Sequence, residues 1–382
     1  MKQAPIVSAF GAVCLLLAGC FQAKDNTIIP QDIPDIQDQN TQTFPFQDIA
    51  ASGPLSPASV SLGTVENNKV VGCFGGLDCI PQYSYPPVVG ADQAGYVDDN
   101  DLVLGVVING VARAYPLSTF WHHEIANDTV GGIRVTVNYC PLTGTGLNFK
   151  GTLDGKPVTF GVSGFLYNNN LIMYDHQTQS FWPQMLFTAA WGERKGQQAQ
   201  LLPVYDMTWA AWKALHPQTT VVSGQLSSTS YPYSDYRTNH NNILFNQQFD
   251  SRLDNKDVVM GVIGKQTARA YPFKNLGERA VINDLLDGEP ILVVFDKAAR
   301  AAAVYRRPLL TNGDAVIFNE EASPGAFPFN LTAGNAEGSW NFLGTGIDGQ
   351  AVDKDLVAVT TAFKGFWMAW SAYYRGIEIY GN

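Results

Sequence analysis

The pentapeptide ARAYP occurs twice, at 112–116 and 268–272, and this repetition constrains the fold more than any other feature of the sequence. The stretches DLVLGVVINGVARAYPL and DVVMGVIGKQTARAYPF align at an offset of 268 − 112 = 156 residues. IANDTVGGIRVTV then falls on VINDLLDGEPILV, and after a two-residue slip Trp212 falls on Trp370. Similarity at a fixed spacing indicates an internal duplication of a unit of about 150 residues.

Each unit is expected to consist mostly of strands, with one helix near its end. Alternating apolar residues flank Asn109-Gly110 and Asp154-Gly155, which are dipeptides typical of tight hairpin turns. Asp206 could cap a helix that carries Trp209 and Trp212 on one face, and the aromatic residues of 363–370 predict its counterpart. The predicted class is α+β, predominantly β, as a tandem duplication with one C-terminal helix per unit.

The N-terminus predicts attachment to a membrane by lipid. Lys2, a short apolar run and the sequence LAGC ending at Cys20 are typical of a bacterial lipoprotein signal peptide, in which Cys20 carries the lipid and palmitate. The run is too short for a transmembrane helix, which needs about 20 apolar residues. With Phe21 after Cys20, we expect the cell envelope, at the periplasmic face of the outer membrane rather than at the inner membrane.

Composition divides the rest of the chain. Residues 21–53 are polar and cannot bury enough apolar surface to fold, so we expect a tether there. The predicted segments are the signal peptide (1–19), the disordered tether (20–53), the first repeat unit with an N-terminal disulfide loop (54–224), the link (225–256) and the second, degenerate unit (257–382).

The net charge of the chain argues against a nucleic-acid partner. Lys and Arg number 24 against 34 for Asp and Glu, so the net charge is 24 − 34 = −10. Proteins that bind nucleic acid present basic surfaces. We therefore expect the membrane, through the lipid, to be the chain's partner, with no nucleic acid.

The cysteines suggest one disulfide and one thiol that needs an explanation. Cys73 and Cys79 in GCFGGLDC are spaced for a small disulfide loop, which suits an oxidising envelope, although two unpaired thiols are the alternative. Cys20 is used by the lipid. Cys140 is then left without a partner.

Several motifs resemble one family. The segments LGVVINGVARAYPL, HEIANDTVGG, NYCPLTGTGLNF, FGVSGFLYNNNLIMYD and SFWPQ are similar to the bacterial domain of unknown function 3179. The resemblance extends over nearly everything after Pro86 and implies a grouping without a reaction. Thr143 stands where one form of that pattern has a second cysteine, C-P-L-C, so a two-cysteine motif is excluded here.

Comparison of the two units separates scaffold from site. Arg113, Tyr115 and Asp128 recur as Arg269, Tyr271 and Asp284, which favours a structural role. His123, Cys140 and His176 occur in the first unit alone.

Strand register predicts that His123 meets Cys140. If Gly131-Gly132 forms a two-residue hairpin turn, facing residues have numbers that sum to 263, so His123 lies opposite Cys140. The equivalent residues of the second unit, Arg279 and Asp296, form a complementary facing pair. On a regular strand Glu124 would point to the other face.

Three functions are open for such a pair. Cys140, His123 and His176 could bind a transition metal, copper first and zinc second, which is the preferred interpretation. Alternatively, His123 lowers the pKa of Cys140, and the two act as the catalytic couple of a cysteine-dependent transferase or hydrolase. The third is a structural or partner-binding envelope protein.

The loop after the cysteine is a candidate for substrate or anion binding. In PLTGTG, the hydroxyls and amides of Thr143, Gly144 and Thr145 could bind an anion or stabilise an oxyanion. A plain tight turn is the alternative.

Overall fold

The computed structural model describes residues 70–72, 77–78, 80–224, 233–244, 249–310, 312–321, 327–335, 337–352 and 354–381. The predicted signal peptide and tether, with Cys20, Cys73 and Cys79, lie outside these ranges and stay predictions. Among the helices found within them, none has the length and apolar character needed to cross a membrane.

Among the described residues, the first unit is built from short strands and two α-helices. Its strands are β1 Val70–Gly72, β2 Tyr83–Ser84, β3 Val88–Gly90, β4 Leu102–Ile108, β5 Val111–Pro116, β6 Ile125–Val130, β7 Ile133–Cys140, β8 Thr145–Lys150, β9 Thr152–Leu153, β10 Lys156–Pro157, β11 Phe160–Tyr167, β12 Asn170–Asp175, β13 Phe181–Pro183, β14 Tyr205–Thr208 and β15 Thr220–Val222. Its helices are α1 Leu117–Phe120 and α2 Trp209–Leu215.

In the part of the second unit that the structure describes there are fewer strands and one α-helix. Its strands are β16 Val258–Ile263, β17 Ala268–Pro272, β18 Arg279–Leu286, β19 Glu289–Asp296, β20 Ala301–Arg306, β21 Phe318–Glu320, β22 Leu331–Ala333, β23 Ser339–Trp340, β24 Gly346–Asp348, β25 Ala362–Phe366 and β26 Glu378–Ile379. Its helix is α3 Trp367–Tyr373.

The predicted predominantly β class is confirmed, whereas two details of the helices were wrong. Thr208, not Asp206, caps α2, because its hydroxyl accepts the Ala211 amide hydrogen. The second helix begins only at Trp367, since Phe363 and Phe366 belong to β25.

The hairpin turns lie where the sequence predicts them. Asn109-Gly110, Gly131-Gly132 and Asp154-Gly155 each join two adjacent antiparallel strands, and all six residues have positive φ. Positive φ at both central residues matches the right-handed twist of the flanking strands, which is why glycine and asparagine suit these positions.

The two units repeat the same strand pairing. One sheet has the order β14-β4-β5-β15-β3, and its counterpart has the order β25-β16-β17-β26. The hairpin extension β6-β7-β8 corresponds in the same way to β18-β19-β20. Duplication as the origin of this equivalence stays a prediction.

The residues shared by both units hold equivalent strands together. Arg113 Nη1 lies 2.6 Å from Asp128 Oδ2, and the Tyr115 hydroxyl donates to the same oxygen at 2.8 Å. Arg269, Tyr271 and Asp284 repeat this arrangement, with distances of 2.7 and 2.6 Å. These contacts tie β5 to β6 and β17 to β18.

The units are interleaved through reciprocal contacts. The Phe366 amide donates to the Thr143 carbonyl at 2.8 Å, and the equivalent Thr208 amide donates to the Ala299 carbonyl at 2.9 Å. Both units contribute to each of the two largest apolar cores. One core packs Trp182 and Cys140 with Trp367 and Trp370, and the other packs Trp212 with Leu292 and Tyr305. Neither of these cores is complete without both units.

Candidate active site where the two units meet

The hairpin that carries Cys140 has the predicted register but ends one step early. Residues of β6 and β7 whose numbers sum to 263 are partners, from Val130↔Ile133 to Ile125↔Asn138. At Glu124 the backbone has φ = 54°, and the Ile125 amide donates to the His123 carbonyl at 2.5 Å. This tight turn takes His123 out of the strand before it can face Cys140.

The predicted His123/Cys140 couple is therefore not formed. His123 Nδ1 lies 2.7 Å from the Pro81 carbonyl oxygen, and the ring stacks on Tyr83 with centroids 4.8 Å apart. Both contacts hold the imidazole against the segment that precedes β3. The local reason is the left-handed conformation of Glu124, a feature that strand alternation does not predict.

The equivalent pair of the second unit is formed as predicted. Arg279 and Asp296 are partners in the β18/β19 ladder, and Arg279 Nε lies 3.1 Å from Asp296 Oδ2. There β18 extends regularly through Arg279. The same inference was right where the strand is continuous and wrong where it is interrupted.

Cys140 is a buried thiol whose reactivity is suppressed at rest. Its side chain is fully buried, with Sγ 3.7 Å from the Asn169 carbonyl oxygen. Burial raises the pKa of Cys140 to about 11, and the nearby carboxyl of Glu124 adds to the rise. The predicted lowering of this pKa by His123 is thus reversed in direction.

Glu124, and not the predicted His123, is the titratable side chain that affects the pKa of Cys140. It is 7% exposed, and burial raises the pKa of its carboxyl to about 8. Within the described ranges, its carboxyl oxygens form neither a hydrogen bond nor an ion pair. At neutral pH this side chain is mostly a neutral acid.

Lys256, from the segment preceding β16, completes the group. It is 4% exposed, and its Nζ has no hydrogen-bond partner among the described residues. Nζ lies 3.1 Å from the centre of the Tyr236 ring and 5.2 Å from that of Phe366. Burial lowers the pKa of Lys256 to about 7, and its interaction with Cys140 partly opposes the fall. The Tyr236 hydroxyl and the Phe366 amide bond to the carbonyls of Leu142 and Thr143, so the rings that contact the amine also contact the loop after Cys140.

The backbone around Lys256 is fixed by α3. The carbonyls of Asp257 and Asn255 accept the first amide hydrogens of this helix, those of Trp367 and Met368. The first unit uses Asp101 and Asp99 in the same way for Trp209 and Ala210. The residue equivalent to Lys256 is Asn100, which is exposed.

Lys256 is the last residue of the predicted link (225–256), directly before the second unit. Sequence reasoning missed this residue because it looked for chemistry only in residues specific to the first unit. Aligning DNKD (254–257) with DDND (98–101) would have shown a lysine at the position where the first unit has Asn100.

The loop Pro141 to Gly146 is part of the core rather than an open anion site. The amides of Thr143 and Gly144 both donate to the Cys140 carbonyl, at 3.3 and 2.9 Å. The hydroxyls of Thr143 and Thr145 lie 2.8 Å apart and bond further to buried amides, which belong to Asn170 and Gln184. Because the two hydroxyls and these two amides are already paired, they are not free to bind an oxyanion.

His176 belongs to a separate cluster. Its Nδ1 lies 2.9 Å from Thr159 Oγ1, and its Nε2 lies 3.8 Å from Asp78 Oδ2. Cys140 contacts the start of β12, whereas His176 follows its end, so six residues of strand, roughly 20 Å, separate the two places. The structure therefore does not bring the three predicted metal ligands together.

A different group in the described part of the chain could hold a metal ion. Ligand atoms of His240, Asp254 and Asp257 lie within 4.8 Å of one another. Lys274 Nζ already lies 2.6 Å from Asp257, and His240 Nδ1 accepts the Lys256 amide hydrogen at 3.3 Å. The contacts present make this group a brace for the Lys256 segment.

Fold and site together define a predominantly β protein of two interleaved units with a thiol, a carboxyl and an amine buried where they meet. The chain belongs to the family described as protein of unknown function (DUF3179), whose sequence model matches residues 77–376, as the motifs predicted. No curated protein and no solved structure matches the chain.

Proposed function

We propose that this protein is a cysteine-dependent acyl transferase or hydrolase in which Lys256, rather than His123, is the general base for Cys140. The observation that carries the proposal is a buried amine, without a hydrogen bond to any described residue, that contacts the rings of Tyr236 and Phe366. These two residues in turn bond to the loop that directly follows the buried thiol. An unpaired amine nitrogen in an apolar setting keeps its lone pair available for a proton.

The chemistry follows from the protonation states of the two groups. With its pKa at about 11, Cys140 is a thiol at neutral pH and needs a base in order to attack. Lys256, with its pKa at about 7, is partly unprotonated at the same pH. The amine takes the thiol proton as the sulfur bonds to the acyl carbon. The rings of Tyr236 and Phe366 then stabilise the new ammonium group by cation–π interaction.

The closed site also suits the predicted compartment. The Tyr236 hydroxyl donates to the Leu142 carbonyl at 3.0 Å, which holds its ring over Lys256. A protonated and buried thiol resists oxidation, because oxidation follows thiolate character and exposure. A substrate reaches the sulfur when Tyr236 moves aside.

Acylation by p-nitrophenyl acetate tests the proposal. We expect a single acetyl group on Cys140, detected by mass spectrometry, and acylation slowed about 10²-fold or more in Lys256→Met, the usual size of a general-base effect. Lys213→Met is the matched control, since Lys213 also lies over an aromatic ring, 5.2 Å from the centre of Trp209. A wild-type protein that forms no acetyl-Cys140 would leave the structural interpretation as the better one.

Metal binding at Cys140 is not the function we propose. Copper and zinc sites of the predicted kind need the thiolate and imidazoles as neighbours, and the two predicted histidines bind elsewhere.

We also propose that the chain is anchored in the cell envelope through lipid on Cys20. The support is the sequence LAGC after a short apolar run. Replacing Cys20 with Ala should move the protein from the membrane fraction to the soluble fraction of lysed cells. A variant that stays with the membrane would overturn the anchor.

A further inference from the structure

Glu124 combines two unfavourable features beside the reactive sulfur. Its backbone is in the left-handed region, with φ = 54°, which non-glycine residues avoid. The residue is 7% exposed, and its carboxyl forms neither a hydrogen bond nor an ion pair with any residue that the structure describes. Strain and an unpaired buried acid are typical of sites of function, since neither feature helps stability.

The backbone around Glu124 is held in place from both sides. Its amide donates to the Phe120 carbonyl at 3.0 Å, and its carbonyl accepts the Tyr139 amide hydrogen at 2.8 Å. The second bond continues the β6/β7 ladder to the residue next to Cys140. The strained turn therefore fixes this acid relative to the sulfur.

The second unit lacks both features at the equivalent position. Ala280 replaces Glu124, and it lies within the regular strand β18, opposite Phe295. Asp296 replaces Cys140 there and pairs with Arg279. The strained acid and the thiol thus occur together, in one unit only.

We infer that Glu124 is the catalytic acid that protonates the leaving group when Cys140 is acylated, an inference that rests on the proposed function. In acylation, the sulfur–carbon bond forms, the bond from the acyl carbon to the leaving group breaks, Lys256 takes the thiol proton and Glu124 gives a proton to the leaving group. In deacylation, the Glu124 carboxylate takes a proton from water as it attacks, and the Lys256 ammonium returns a proton to the sulfur. Both groups end as they began.

The protonation state of Glu124 agrees with this role. Burial raises the pKa of its carboxyl to about 8, so the acid form predominates at neutral pH. A carboxyl with an ordinary pKa, near 4.3, would have no proton to give.

Two acetate esters with different leaving groups test the inference in Glu124→Gln. p-Nitrophenolate leaves without a proton, so acylation by p-nitrophenyl acetate should change by no more than about twofold. Acylation by phenyl acetate, a poorer leaving group, should slow by about 10²-fold, the usual size of a general-acid effect. Glu193→Gln, at an exposed position, is the matched control and should affect neither rate.

The results distinguish failure of this inference from failure of the proposed function on which it rests. A wild-type protein that forms no acetyl-Cys140 with either ester rejects the proposed function. A wild type that is acylated, with both esters slowed equally in Glu124→Gln, rejects the inference alone. Thermal unfolding of Glu124→Gln, measured in parallel, shows whether an equal loss of both acylation rates comes from an unfolded protein. If it does, Glu124→Ala takes the place of Glu124→Gln in the same comparison of two esters.

Discussion

Asp206 and Lys364 occupy equivalent positions in the two units and bind each other. Lys364 Nζ lies 2.6 Å from Asp206 Oδ1, and the two side chains are 8% and 9% exposed respectively. They lie on β14 and β25, at an offset of 364 − 206 = 158 residues, the same offset that relates Trp212 to Trp370. Equivalent residues can meet only close to the axis that relates the units. This ion pair therefore joins the two units at equivalent positions of their sheets.

Removing one charge of this pair should destabilise the protein strongly. Lys364→Met leaves a buried carboxylate at Asp206 without its partner, and we expect the free energy of unfolding to fall by about 3–5 kcal/mol. Urea denaturation measures it. The exchanged double variant Asp206→Lys, Lys364→Asp should recover most of the loss, because the two positions are equivalent. A single variant as stable as the wild type would show that the pair contributes little.

Two glycines should be intolerant of even a methyl group. A Cβ atom at Gly105 would lie 2.1 Å from the Trp212 ring, and one at Gly261 would lie 2.2 Å from the Trp370 ring. We expect Gly105→Ala and Gly261→Ala each to lower the free energy of unfolding by at least about 1–3 kcal/mol, as overpacking does. Gly95→Ala is the control, since nothing lies within 4 Å of its Cβ position. Equal stability of all three variants would contradict the packing.

Replacement of Lys256 should stabilise the protein in a pH-dependent way. The pKa of Lys256 is about 7 in the folded protein against 10.5 ordinarily, so the unfolded chain binds more protons between these values. Below pH 7 the lowered pKa of Lys256 has its full cost to the free energy of unfolding, at most about 5 kcal/mol. This cost disappears as the pH rises towards 10.5. Lys256→Met should therefore gain stability at pH 6 and lose that advantage by pH 10. Denaturant midpoints at the two pH values measure the gain, and a pH-independent difference would refute it.

The metal content of the purified protein should not depend on Cys140. The structure separates this residue from His123 and His176, so the wild type and Cys140→Ala should carry the same copper and zinc. Elemental analysis of both proteins, purified from the envelope without chelators, decides the question. Loss of one equivalent of either metal on mutation would restore the metal hypothesis.

Much of the fold could be predicted because the signals are local or repeated. Asn109-Gly110 and Gly131-Gly132 determine their hairpins through positive φ, and two-residue side-chain alternation then determines register. The helix caps were harder, since Asp206 and Thr208 are both capping residues by type. Only the packing of the second unit shows that Asp206 binds Lys364 instead.

The site was predictable only in part, and Glu124 shows why. Register arithmetic assumes a regular strand, which holds for Arg279 opposite Asp296 and fails at His123, the residue before the left-handed Glu124. Nothing in the residues around Glu124 signals its left-handed backbone, because it is a glutamate rather than glycine or asparagine. Lys256 could be found as a difference between DNKD and DDND, but not its contacts, since Tyr236 and Phe366 come from distant segments and no local pattern encodes their meeting.

The reciprocal amide bonds of Phe366 and Thr208 have a consequence for ancestry. A single unit would expose to solvent the strand that the other unit now covers. It would also contain only half of each apolar core that the two units share. If the predicted duplication is the origin of the two units, the ancestral polypeptide would have made both bonds between two identical chains, as a symmetric homodimer. Fusion of two such genes would then have freed each copy to diverge, as Cys140 and Asp296 have done at equivalent positions.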